Sequence, residues 1–91
     1  MTIFDAAAIS ASVPFAAPMP GDDLRTILHT GRPPALLVPH VERILTELPI
    51  PMLAKLVFAY PQPDQRIVIN NLLMFANQWH IPRIDTWLTT G

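Results

Sequence analysis

The amino-acid sequence predicts an all-α fold, a small bundle of four or five short, proline-punctuated helices with an extended N-terminal arm. Two observations support this prediction. Apolar residues recur with a period near 3.6 in successive segments, and 11 prolines against 3 glycines keep each segment short. The length of 91 residues fits one domain. We assign residues 21–91 to a single helical domain and residues 1–20 to a flexible or docking arm.

The N-terminal arm is rich in alanine and proline and carries one charged residue, Asp5. A short helix is compatible with Phe4–Ser10, and the three prolines that follow favour extended backbone. Phe4 and Phe15 are isolated aromatic residues in this stretch. We therefore expect an arm that is mobile or that docks its phenylalanines on a neighbour.

The first helix of the domain is expected over residues 21–31. Asp22 is the expected N-cap, since its carboxylate can accept hydrogen bonds from the first turn. Gly31 suits the left-handed position that follows a helix, and Pro33 prevents continuation.

Four further helices are delimited by prolines. One begins at Pro39, one at Pro51, one at Pro63 and the last at Pro82, and the third extends to about His80. Residues 66–69 are also compatible with a short strand, although the helical period continues beyond them. Each of these helices carries an apolar stripe at helical spacing. The stripes are Val41, Ile44, Leu45 and Leu48; Met52, Leu53, Leu56, Val57 and Tyr60; Ile69, Leu72, Leu73 and Ala76, widened by Val68, Phe75 and Trp79; and Ile84, Trp87 and Leu88.

The composition argues against most catalytic chemistry. The chain has no cysteine, which excludes disulfides and thiolate zinc sites. Its three histidines lie in separate segments without a second ligand at helical spacing. No carboxylate lies within an apolar run, where its pKa would rise, and no G-x-S-x-G sequence is present. We expect no enzyme activity, metal, cofactor or small-molecule substrate; a pocket near His80 and Asp85 is the least favoured hypothesis.

Residues 72–90 have the outline of a helix–turn–helix, with Arg83 and Thr86 among the residues that would face outward. The alternative hypothesis is therefore a transcriptional regulator that binds DNA as a dimer through this segment. Two observations weaken it. The net charge is −1, and the six basic residues are distributed one to a segment, whereas phosphate contacts supply much of the affinity for DNA.

The favoured hypothesis is a small interaction module that acts as a regulator, adaptor or inhibitor by binding a partner protein or itself. Charged residues form 14% of the chain against about 25% in an average soluble domain. Apolar residues form 51%, and the mean hydropathy is +0.33. Some apolar surface is therefore expected to meet a partner, in a homo-oligomer or a heteromeric complex. The expected partner-binding residues are Phe75, Trp79, Ile84, Trp87 and Leu88.

No membrane span is expected. The apolar run 67–75 is interrupted by Asn70 and Asn71, and it is far shorter than the ~20 residues that a span requires. The N-terminus lacks the basic region of a secretory signal. Without such a signal and without cysteine, the expected compartment is the cytoplasm.

Overall fold

A computed structural model describes residues 2–11, 13–14 and 18–90. Within these ranges the chain forms six α-helices and one turn of 3-10 helix, so the predicted all-α class is confirmed and the helix count is higher than the predicted four or five. No strand occurs among the described residues, and residues 66–69 are helical. The helices are α1 (Ile3–Ser10), α2 (Gly21–Thr30), α3 (Val38–Glu47), α4 (Ile50–Phe58), α5 (Gln62–Trp79) and α6 (Pro82–Thr90), with the 3-10 turn at Ala35–Leu37.

Prolines lie in the first turn of α3, α4 and α5, one residue after each helix begins, and α6 begins at Pro82. Their fixed φ suits the first turn, where the missing N–H leaves no hydrogen bond unmade. Among the helix ends that the structure describes, two adopt the left-handed conformation, α2 at Gly31 with φ of 72° and α5 at His80 with φ of 56°. Among residues other than glycine, histidine is enriched in this conformation, as are asparagine and aspartate. The turn is closed by Ile81, whose N–H donates to the Ala76 carbonyl at 2.9 Å.

The long helix α5 is the centre of the bundle, and it packs against α2, α3, α4 and α6. Several of its sides are therefore covered, which explains its broad apolar stripe. The stripe of α3 faces inward as its spacing predicts, while the residues between its members remain exposed. The side chains most deeply buried on these two helices are Val41, Ile44, Leu45, Val68, Leu72 and Phe75.

The short helix expected over Phe4–Ser10 is present as α1, but residues 3–11 are not an arm separate from the domain, because α1 belongs to the same core as the rest of the chain. It packs on α2 and also contacts α3 and α4. Phe4 is buried, and its ring meets that of Tyr60 edge-on with centroids 5.2 Å apart. This aromatic anchor is thus docked on its own chain rather than on a neighbour. Phe15, the second expected anchor, lies outside the described residues.

Asp5 caps two helices at once. Its Oδ2 accepts hydrogen bonds from the Thr2 N–H at 2.9 Å and the Thr2 hydroxyl at 3.1 Å, which completes a capping box on α1. Its Oδ1 accepts from the N–H of Gly21, the first residue of α2, at 3.1 Å. The predicted cap of α2 by Asp22 is wrong: the N-cap residue is Pro20, which makes no side-chain hydrogen bond. The carboxylate that serves α2 comes from a different helix.

The hydrogen bonds to Asp5 predict an acid-sensitive contribution to stability. The Thr2 N–H, followed by the Thr2 hydroxyl, holds the pKa of Asp5 below its ordinary value of 3.8, with a smaller lowering from the Gly21 N–H and an opposing effect of burial. The folded-state pKa is therefore below the unfolded one. The stabilisation is complete above the unfolded pKa and is lost as the pH falls through the lowered folded pKa.

We expect the free energy of unfolding of the native chain to fall more steeply with acid than that of Asp5→Asn, which cannot titrate at this position. Urea unfolding at a series of acidic pH values measures both curves. Parallel curves below the ordinary pKa of an aspartate would contradict the assignment.

Candidate functional site

An apolar groove of about 350 Å³ lies between α4, α5 and α6. Among the residues that line it, six are apolar and none carries a formal charge. Other clefts of about 200–300 Å³ on the described surface each include at least one ionisable side chain. The groove thus differs from these clefts in its uncharged, mainly apolar lining. It is lined by Ala54, Val57 and Phe58 of α4, Gln65 and Ile69 of α5, and Trp87 and Leu88 of α6.

Phe58 forms an edge of this groove and is 72% exposed. It is the last residue of α4, and it points away from the core-facing stripe of that helix. Full burial of such a side chain contributes about 1.5–3 kcal/mol, a gain that the isolated chain forgoes at this position. An exposed aromatic ring beside an apolar groove is typical of a surface that binds another molecule.

The five predicted partner-binding residues fall into two groups. Phe75 and Ile84 are 1% and 0% exposed, so they belong to the core of the folded chain. Trp79, Trp87 and Leu88 are partly buried and pack against that core. The groove brings Trp87 and Leu88 together with α4 and α5. Trp79 is not one of its lining residues, and its ring stacks on Phe75 with centroids 4.8 Å apart and an interplanar angle of 3°.

Sequence reasoning missed the contributions of α4 and α5 to the groove, chiefly Phe58. A signal for it was present. At about 100° per residue, Phe58 lies on the side of α4 opposite the stripe that contains Leu53 and Leu56. A large aromatic residue outside a clear apolar stripe indicates an exposed position. Ile69 gave no such signal, because it continues the stripe of α5.

Arg83, which the DNA-binding hypothesis places on the outer face of α6, is directed toward α3. Its Nη1 donates to the Leu45 carbonyl at 2.7 Å, and its Nη2 donates to the Leu48 carbonyl. These carbonyls lie at the C-terminal end of α3, where acceptors lack helical partners and the helix dipole is negative. The guanidinium therefore stabilises the fold in this arrangement. DNA binding through residues 72–90 stays a prediction. In this arrangement the Arg83 guanidinium is bonded to α3 and does not face a phosphate.

The cleft at the α5–α6 turn contains the two residues named for an active site. It has a volume of about 280 Å³ and includes His80, Asp85 and Asn77. All three residues are exposed to solvent. The lining contains no serine, threonine or lysine that a base would activate for covalent catalysis. The cleft thus holds two titratable groups that are both exposed to solvent.

A second polar cluster joins α2 to the turn between α4 and α5. The Tyr60 hydroxyl donates to the Arg25 carbonyl at 2.6 Å. The ring of Tyr60 stacks on His29 with centroids 6.2 Å apart, and His29 Nε2 lies 3.7 Å from Asp64 Oδ1. Burial raises the pKa of the Tyr60 phenol, and the Arg25 charge opposes this only in part. The phenol therefore remains a hydrogen-bond donor, and the cluster has a structural explanation.

The described residues offer two further observations that bear on function. In them, no three His, Asp or Glu side chains are grouped so that they could hold a metal ion. Over the same part of the chain, every helix is too short or too polar to cross a membrane.

Comparison of the chain with protein-family models, with curated proteins and with solved structures found no match.

Proposed function

We propose that this chain is a small non-enzymatic interaction module that acts as a regulator, adaptor or inhibitor by binding a protein through the groove between α4, α5 and α6. The observation that carries the proposal is the uncharged apolar lining with exposed Phe58 at its edge. The lining has few polar groups: Gln65 donates to the Tyr60 carbonyl at 3.1 Å, and the indole of Trp87 is the other donor. Binding there depends on apolar contact. The absence of cysteine favours the cytoplasm as the place of action.

The occupant that suits this groove is an amphipathic helix with aromatic or branched aliphatic side chains on one face. A groove between helices accepts such a face through anchors at helical spacing. The uncharged lining offers no ionic partner to an acidic or basic peptide. Trp87 is the expected centre of the contact, because it is partly exposed and tryptophan is enriched among the residues that dominate binding energy.

The test is a titration of isotopically labelled protein with a synthetic amphipathic helical peptide that carries leucine and phenylalanine on one face. A peptide of the same composition in scrambled order is the control. We expect NMR shift changes at Ala54, Ile69, Leu88 and the Trp87 indole with the amphipathic peptide alone. Trp87→Ala should weaken binding by about 2 kcal/mol or more. Met74→Ala, which changes an exposed apolar residue outside the groove, should leave the affinity unchanged.

Two results would contradict the proposed function. One is equal perturbation by both peptides, which would indicate unspecific adhesion. The other is the absence of shift changes in the groove at saturating peptide, while the fold is intact by circular dichroism.

A further inference from the structure

A polar cleft lies between α2 and the turn that joins α4 to α5, and it shares no lining residue with the apolar groove. It has a volume of about 230 Å³ and is lined by Arg25, Thr26, His29, Tyr60 and Asp64. We propose that this cleft binds a small zwitterion of the α-amino acid class, with the ligand carboxylate at Arg25 and the ligand ammonium at Asp64. This site goes beyond the function proposed above and does not depend on it.

The two charged residues of the cleft have opposite signs and are not paired with each other. Arg25 forms no ion pair with any described carboxylate, and its guanidinium carbon lies 6.0 Å from the centroid of the Tyr60 ring. The Asp64 carboxylate accepts no hydrogen bond from a described residue. His29 Nε2 lies 3.7 Å from its Oδ1, which is longer than the ordinary hydrogen bond of about 2.7–3.2 Å. Both charges are therefore available to a ligand that carries their opposites.

A ring nitrogen in the cleft is also left without a hydrogen bond. His29 Nε2 is excluded from solvent, and it has no hydrogen-bond partner among the described residues. Buried polar atoms are ordinarily paired, so an unpaired one beside a cavity indicates a group that the isolated chain does not supply. The contacts of Tyr60 with α2 hold the walls of the cleft in place, and they leave this nitrogen and both charges unsatisfied.

Charge and volume together define the ligand. An anion would be attracted by Arg25 and repelled by Asp64, and a cation would meet the reverse, whereas a zwitterion places each charge beside its opposite. Sites for drug-sized ligands have about 300–1,000 Å³, so the smaller volume of this cleft suits a molecule whose two charged groups are joined through one carbon atom. Composition alone favours no such ligand, because the two charges come together only when α5 packs on α2.

The experiment is an NMR titration of the isotopically labelled full chain with alanine at neutral pH. Alaninamide, which keeps the ammonium and lacks the carboxylate, and N-acetylalanine, which keeps the carboxylate and lacks the ammonium, are the control ligands. We expect saturable shift changes at the Thr26 amide and the His29 ring with alanine. The dissociation constant should be on the order of 1 mM, because the charged groups remain partly open to solvent. Each control ligand should bind about tenfold more weakly or worse, since it loses one charged contact.

Two variants assign the two ends of the ligand. Arg25→Gln removes the site for the carboxylate, so alanine should bind this variant no better than alaninamide does. Asp64→Asn removes the site for the ammonium, so alanine should bind this variant no better than N-acetylalanine does. Arg32→Gln is the matched control, because it neutralises an exposed arginine outside the cleft, and it should bind alanine like the native chain. Circular dichroism confirms that the variants are folded.

Three outcomes would overturn the assignment of this site. They are the absence of saturable shift changes in the cleft with alanine, equal binding of all three ligands by the native chain, and a loss of alanine binding in Arg32→Gln as large as in Arg25→Gln. The peptide titration reports on the groove alone, so the failure of either proposal leaves the other standing.

Discussion

Phe75→Ala is expected to lower the free energy of unfolding by about 3–5 kcal/mol, the range found for the loss of a large aromatic side chain from a packed core. Phe75 is 1% exposed, and its ring lies parallel to that of Trp79 at 4.8 Å. The helix that carries it packs against four others, so the space left by the ring cannot close by the movement of one element. The expected loss therefore has two parts: the transfer free energy that burial of the ring contributes, and the cost of the cavity that remains.

Urea unfolding followed by circular dichroism measures this loss, and Met74→Ala is the matched control. Met74 precedes Phe75 on the same helix but is 43% exposed. Its truncation is expected to cost no more than about 1 kcal/mol, as is usual for a residue outside the core. Equal losses for the two variants would show that Phe75 is not a core residue. A stable Phe75→Ala that fails only to bind a partner would do the same.

Phe75 also shows what apolar spacing reveals about a binding site. The spacing identifies which face of α5 is apolar, and that face is confirmed. It does not reveal which parts of the face other helices cover. Phe75 and Ile84 lie where neighbouring helices close over them, whereas Trp87 lies where they leave a groove. This difference depends on how the helices are arranged in space, and local periodicity does not contain that information.

The helix ends also divide into those that local sequence determines and those that depend on the packing of distant residues. Pro39, Pro51 and Gly31 act on their own helices, and the structure places them as their local preferences predict. The predicted cap of α2 by Asp22 is wrong because the carboxylate that serves this helix belongs to α1. Only the packing of α1 on α2 brings Asp5 and Gly21 together.

Because of this close approach, we expect Gly21→Ala to destabilise the chain, although helix propensity alone predicts that it stabilises the chain. Gly21 is the first residue of α2, and alanine is ordinarily more stable than glycine within a helix by about 0.5–1 kcal/mol. A Cβ atom on Gly21 would lie 2.1 Å from Asp5 Oδ1 and 2.5 Å from the Asp5 backbone nitrogen. The nitrogen cannot move aside unless α1 moves with it. We expect Gly21→Ala to destabilise the chain by about 1–3 kcal/mol, as overpacking does.

A double-mutant cycle with Asp5→Ala identifies the cause of this loss. If the carboxylate and the new methyl group compete for one space, removal of the carboxylate should make Gly21→Ala less destabilising than it is in the native background. Part of the loss should persist, since the backbone nitrogen of residue 5 stays in place. Urea unfolding of the four chains measures the coupling. Additive effects would show that the carboxylate and the methyl group do not compete for one space, whereas a Gly21→Ala variant more stable than the native chain would show that α1 does not lie against the start of α2. The close contact thus requires glycine where the helix alone would favour alanine.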